Sequence, residues 1–173
     1  MFNEVKKYHP VMRVLHWVMA ICILLALGFI FAVDEDPSPQ RFQLIGWHKA
    51  LGVTVLMLIA FRLIARLLWK TPEPVAQSKA LMMLSKIVHV CFYVLMFTVP
   101  LVGWLYSNSK GYGVSYFGFF DMPILIDKSP EIADTLKEAH EIQGLALLFI
   151  FILHVLGVIY HVMKRDGTLK RMV

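Results

Sequence analysis

At 173 residues the chain has room for one domain, and 58% of it is apolar against 17% charged, with a mean hydropathy of +0.66. That balance excludes an ordinary soluble domain, and four spans of about 20 residues leave no length for a separate soluble catalytic domain. Membrane lipid is the expected partner of most of its surface, despite a net charge of +5, and nucleic acid is not an expected partner.

The first span, about 11–33, carries only His16 and the Cys22 thiol as ionisable groups from Val14 onward, and DEDPSP (Asp34–Pro39) ends it. It lacks a small-residue cleavage site, so it reads as a retained span that doubles as the insertion signal. The second, about 43–68, has His48 and Lys49 in its first turns and Arg62 and Arg66 near its end. Long basic side chains there snorkel to the headgroups, and the Pro-rich TPEPV (Thr71–Val75) follows. The third, about 79–106, contains Pro100, which membrane helices tolerate with a kink, and SNSKGYG (Ser107–Gly113) is expected to break it. After a Pro- and aromatic-containing loop (Val114–Glu131), the fourth helix, about 132–163, starts charged and amphipathic and becomes fully apolar. At about 1.5 Å per residue it overshoots the hydrocarbon core. Cys22 and Cys91 lie in apolar runs without CxxC or CxxCH, as inert packing residues do. The expected fold is an all-α membrane protein, one domain over 1–173, forming a four-helix transmembrane bundle.

The N-terminal segment, the connection between spans two and three and the C-terminus hold 12 of the 17 basic residues and 3 of the 12 acidic ones. By the positive-inside rule these segments face the cytoplasm, with both termini inside. The opposite side carries 5 basic and 9 acidic residues, a net charge of −4, including Asp34, Glu35, Asp36, Asp121, Asp127 and Asp134.

Six of the seven histidines (His16, His48, His89, His140, His154 and His161) fall within or at the ends of the spans, where ionisable groups are costly and mark function. His140 and His154 are 14 residues apart, four turns less about 40°, so they share a face and are separated by about 21 Å along the axis. Such a stripe suits two cofactors stacked across the bilayer. Depth supplies the partners: His16 near the inner side pairs with His154, and His48 near the outer side pairs with His140. Imidazole suits iron, copper, zinc and nickel alike. Gly144, Gly157 and Gly52, each about one turn from one of these histidines, leave room for a flat macrocycle that a bare ion would not require. A lone histidine in a membrane helix often just hydrogen-bonds a neighbour, and glycines often serve packing. Four histidines at paired depths favour ligation. His89 has no depth-matched mate left, so a hydrogen bond to a propionate or a neighbouring helix is expected there, and His9 is expected to be exposed and idle.

With both axial positions taken by nitrogen, an iron has no open site, which excludes an oxygen carrier or monooxygenase and leaves electron transfer at the macrocycle edge. At the inner rim His161 lies seven residues beyond His154, and with Tyr160, Trp17 and Arg13 it forms a candidate quinone site. A quinone needs hydrogen-bonding partners and a proton route, both of which histidine supplies; an interfacial aromatic belt is the competing reading. At the outer rim Lys49, Lys137 and Arg41 are candidates for contacts to haem propionates or an anion, or for pairing with Glu138, Glu141 and Asp134.

VLHWVMA (Val14–Ala20), GWHKALG (Gly46–Gly52), HVCFYVLMFTVPLVGW (His89–Trp104), KEAHE (Lys137–Glu141) and HVMKRDGTLKRM (His161–Met172) resemble the bacterial cytochrome b561 family across essentially the whole chain. The similarity is strongest to its short, stand-alone members, typified by the superoxide oxidase of enteric bacteria. The resemblance implies two haems b, held by one histidine on helix one, one on helix two and two on helix four, positions that fall on His16, His48, His140 and His154. It also implies quinone contact near His161, and an inner-membrane oxidoreductase passing single electrons from superoxide to ubiquinone. A positive mouth would steer superoxide, so the net −4 of the outer side leaves Arg41, Lys49 and Lys137 to focus the field. The alternative expectation is an electron-transfer cytochrome between the quinone pool and a small periplasmic redox protein, which acidic loops suit if that partner is basic. A third, of another class, is a non-redox membrane protein whose histidines bind a transition metal or join helices.

Overall fold

The computed structural model describes residues 6–73 and 78–173, so Pro74 and Val75 of TPEPV lie outside the described residues. Four helices, α1 (Pro10–Phe31), α2 (Pro39–Leu68), α3 (Lys79–Ser109) and α4 (Pro130–Lys164), are each long and apolar enough to cross a membrane. Pro10, Pro39 and Pro130 open α1, α2 and α4, where a missing N–H is no loss. Ser38 and Ser78 cap α2 and α3 by accepting the amides of Arg41 at 3.0 Å and Leu81 at 3.3 Å. The Ser-Pro start places the beginning of α2 at 39 rather than 43, ahead of its apolar stretch. At 35 residues α4 is about 52 Å long, well beyond a hydrocarbon core of about 30 Å.

The helices form two hairpins. α1 packs on α2, α3 packs on α4, and α2 joins the hairpins through α3. Among the described residues, α4 nowhere comes within 8 Å, Cα to Cα, of α1 or α2. Midway along the bundle a buried apolar layer is built from Met19, Cys22 and Ile23, from Leu51, Val55 and Ile59, from Met96 and from Leu147. Leu147 lies seven residues from His140 and seven from His154, so this layer separates the two histidine depths. Cys22 packs within it, and both cysteines are free thiols.

SNSKGYG does not break α3 where the sequence suggests. The helix continues through Ser109, and Ser107, Asn108 and Ser109 are buried. Their polarity is spent on the chain that follows. Ser107 Oγ donates to the Tyr112 carbonyl at 3.0 Å, Asn108 Nδ2 donates to the same carbonyl at 3.2 Å, and Asn108 Oδ1 accepts the Leu125 amide at 2.9 Å. Gly111, at φ +83°, supplies the left-handed turn between them. The loop then folds into a short antiparallel ribbon, β1 (Ser115–Tyr116) on β2 (Phe120–Asp121), and the Tyr116 hydroxyl accepts from Thr54 of α2 at 3.3 Å.

Asn108→Ala removes a donor and an acceptor from a buried position and leaves their partners unpaired. A loss of about 1–3 kcal/mol is expected, read as a lowered thermal midpoint in detergent; an unchanged midpoint would show that the loop is held elsewhere.

Candidate functional site

The two histidine pairs expected from depth are brought together across the gap between α4 and the first hairpin. His48 of α2 faces His140 of α4 with ring centroids 5.9 Å apart, and His16 of α1 faces His154 of α4 at 6.1 Å. An imidazole–metal–imidazole sandwich with metal–nitrogen bonds of about 2 Å puts ring centroids about 6 Å apart. The spacing therefore fits a metal held between each pair. The backbones stay more than 8 Å apart, so side chains and not backbone contact span this gap.

Hydrogen bonding fixes which nitrogen faces the gap. His48 Nδ1 lies 2.9 Å from the Ala26 carbonyl of α1, and His140 Nδ1 lies 2.9 Å from the Val99 carbonyl of α3. A carbonyl only accepts, so each Nδ1 carries its proton and each Nε2 presents a lone pair. This is the outer-shell arrangement that orients metal-binding histidines. Val99 precedes Pro100, whose missing N–H interrupts the α3 ladder.

Gly103 seats the His140 ring. A Cβ there would stand 2.7 Å from His140 Cε1 and 2.8 Å from Nδ1, closer than side chains approach. The distance of Gly103 from His140 in sequence hides this role, whereas Gly52, Gly144 and Gly157 each stand about one turn from a histidine. A Cβ on Gly144 or Gly157 would meet nothing within 4 Å, whereas one on Gly52 would make an ordinary contact with Pro100 of α3 at 3.6 Å.

The His16–His154 site gathers more groups than one pair. His89 lies with its ring 5.6 Å from His154, and its Nδ1 donates to the Ser85 carbonyl of its own helix at 2.6 Å. It therefore shares the depth of His154 and bonds within α3. Phe92 packs edge-on against His154 at 5.4 Å, and Arg62 of α2 lies near enough to act electrostatically on both His16 and His154. Among the described residues no three histidine, cysteine or acidic side chains gather into a cage for a bare ion.

At the opposite end the three candidate cations separate. Lys49 Nζ donates to Ser107 Oγ at 2.7 Å and lies 5.7 Å from the Tyr112 ring centroid. Lys137 pairs with Glu141 at 3.7 Å, one of the partners expected for it, and Arg41 donates to the Asp34 carbonyl.

At the end where α1 begins and α4 finishes, His161 Nδ1 lies 2.5 Å from Asp166 Oδ2 and its ring meets Tyr160 edge-on at 5.5 Å. Trp17 packs against His16 at 5.5 Å and donates from its indole to the Met172 carbonyl at 2.9 Å. Arg13 Nε is buried without a partner among the described residues. His9 is not idle: it stacks on Trp69 at 4.2 Å, tying the start of α1 to the end of α2. Burial raises the Asp166 carboxyl, but hydrogen bonds from His161 and Thr168 outweigh it and bring it down to about 2. Asp166 was missed in the sequence; the signal was a DG turn directly after a helix.

Gly103→Ala should push the His140 ring off Val99. With a crowding penalty of about 1–3 kcal/mol, haem bound by the His48–His140 pair should fall while that of the other pair stays; equal retention of both would contradict this seating.

A family model for prokaryotic cytochrome b561 matches residues 7–173. Cytochrome b561 homolog 2 of Escherichia coli is 25% identical over 175 residues, covering 99% of this chain and 93% of that protein. A probable superoxide oxidase, CybB, of Yersinia pestis is 26% identical over 170 residues, covering 97% of this chain and 96% of its own. With four membrane-spanning helices and histidine pairs suited to haem, the chain belongs to the prokaryotic cytochrome b561 family, membrane b-type cytochromes that bind haem b and transfer electrons.

Proposed function

We propose that the protein is a di-haem superoxide oxidase of the bacterial inner membrane, with both termini cytoplasmic, which passes electrons from periplasmic superoxide to ubiquinone. The observation that carries the reading is the pair of facing imidazoles at each of two depths, with the His48 and His140 rings locked by carbonyls so that Nε2 points into the gap. Haem b, when bound, supplies a one-electron centre whose potential its axial ligands and burial tune. His48 and His140 would hold the outer haem and His16 and His154 the inner one, all four spans serving as one unit over 1–173. With an imidazole on either side, each site would leave oxygen no place to bond a metal held there, and superoxide needs no such bond: losing one electron, it departs as O2.

Likeness to a probable superoxide oxidase over nearly the full length supports this donor. At the inner rim His161, Trp17 and Arg13 bind the quinone head, with Tyr160 beside His161. Each ubiquinone takes two electrons and two protons, and so accounts for two superoxide ions. On the outer side Lys49 is the cation next to His48, while Lys137 and Arg41 are engaged by Glu141 and the Asp34 carbonyl. That engagement favours a second reading, in which the acidic outer loops dock a basic periplasmic redox protein and the chain mediates between it and the quinone pool.

Stopped-flow mixing of the oxidised haem-loaded protein with enzymatically generated superoxide separates the two. Superoxide oxidation requires haem reduction fast enough to compete with dismutation and passage of those electrons to quinone. Slow reduction together with rapid oxidation by a c-type cytochrome would establish the second reading.

A further inference from the structure

The turn that ends α4 is built to aim one carboxylate. Arg165 closes the helix in the left-handed region at φ 54°, and Gly167 follows at φ 79°. A non-glycine residue at positive φ is disfavoured by about 1–2 kcal/mol, so the turn is held by what it makes. Between these residues Asp166 folds back on the helix. Its Oδ2 lies 2.5 Å from His161 Nδ1, its Oδ1 accepts the Thr168 amide at 3.0 Å, and the two side chains are only 18% and 19% exposed. Gripped at both oxygens, the carboxylate cannot swing away.

The chain beyond this turn runs onto α1. A short 3-10 helix, η1 (Leu169–Arg171), brings the Arg171 carbonyl to the Tyr8 amide at 3.0 Å and the Met172 carbonyl to the Trp17 indole at 2.9 Å. One segment, 165–173, therefore fixes both His161 and Trp17 at the rim proposed above for the quinone. Arg13, four residues before Trp17, brings a buried Nε without a partner among the described residues, as expected of a rim that receives a polar head group. An exposed helix-end ion pair that merely caps α4 would be worth little; this one is mostly buried and serves the same rim as Trp17 and Arg13.

We propose that Asp166 is the positioning residue of a proton-donating dyad, holding His161 by Nδ1 so that the ring delivers its Nε2 proton to a quinone carbonyl oxygen. The proposal rests on the quinone reading of this rim. Reduction to quinol takes two electrons, each from one superoxide ion or from a reduced periplasmic partner, and two protons. At each transfer the quinone O–H bond forms as the His161 Nε2–H bond breaks, the Nδ1–H stays on the ring, hydrogen-bonded to Asp166, and a proton taken up from the aqueous phase restores Nε2–H. Two such cycles yield the quinol. The low proton affinity of the Asp166 carboxyl agrees with a group that holds a proton-bearing ring without taking the proton itself.

The test compares Asp166→Asn, Asp166→Glu and His161→Ala, each haem-loaded, in steady-state reduction of a soluble ubiquinone analogue. Asp166→Asn is expected to keep the haem spectrum and the KM for quinone within about twofold while kcat falls about 10- to 100-fold, and Asp166→Glu to recover part of the loss. A loss confined to KM, or no recovery with Glu, would mean a structural cap and overturn the proposal. If His161→Ala slows quinone reduction and Asp166→Asn does not, the dyad fails alone; if neither does, the quinone reading of this rim fails first. Should Asp166→Asn not fold, Gly167→Ala strains the same turn, and an unchanged kcat in it would also overturn the proposal.

Discussion

An imidazole N–H placed in hydrocarbon must find an acceptor, because an unsatisfied polar group there costs several kcal/mol. In this protein the acceptors of His48 and His140 are main-chain carbonyls of neighbouring helices, Ala26 of α1 and Val99 of α3. Each bond does two jobs at once. It settles the ring tautomer, leaving Nε2 with its lone pair toward the gap, and it fixes the rotation of α2 against α1 and of α4 against α3. The hairpin pairing and the open seam between α4 and the first hairpin are the large-scale form of the same constraint.

The two ends of the bundle are built differently. At one end the last residues of α3, Ser107–Ser109, hold the following loop beside α2, and Lys49, next to His48, is drawn inward to Ser107. At the other, His16 and His154 sit among His89, Phe92, Trp17 and Arg62, and the C-terminal segment closes the rim. The apolar layer around Leu147 and Ile59 separates them. In the proposed orientation electrons are collected at the His48–His140 end and delivered at the end with acid–base groups, where quinone chemistry needs protons.

Much of this was legible in the sequence. Hydropathy located all four helices, and the 14-residue spacing of His140 and His154, with the alternation of helix direction, paired His16 with His154 and His48 with His140. Features carried by the backbone were not legible, since every residue has a carbonyl and nothing marks Ala26 or Val99 as acceptors. Gly103 was hidden for a related reason: its role is to leave space for a ring from another helix, whereas Gly52 lay close to a histidine in sequence but faces Pro100. Ser107 to Ser109 misled because small polar residues end helices when solvated and extend them when the following loop satisfies their side chains. Charge counting likewise found Arg41 and Lys137 without showing that each was engaged by a near neighbour in sequence.

Haem b counted per chain by pyridine haemochrome, in the wild type and in His16→Ala, His48→Ala, His140→Ala and His154→Ala, bears most directly on the paired sites. Two haems are expected in the wild type and one in each variant, with His48→Ala and His140→Ala sharing one residual spectrum and His16→Ala and His154→Ala the other. A single haem in the wild type, or residual spectra that group the histidines in any other way, would contradict the pairing.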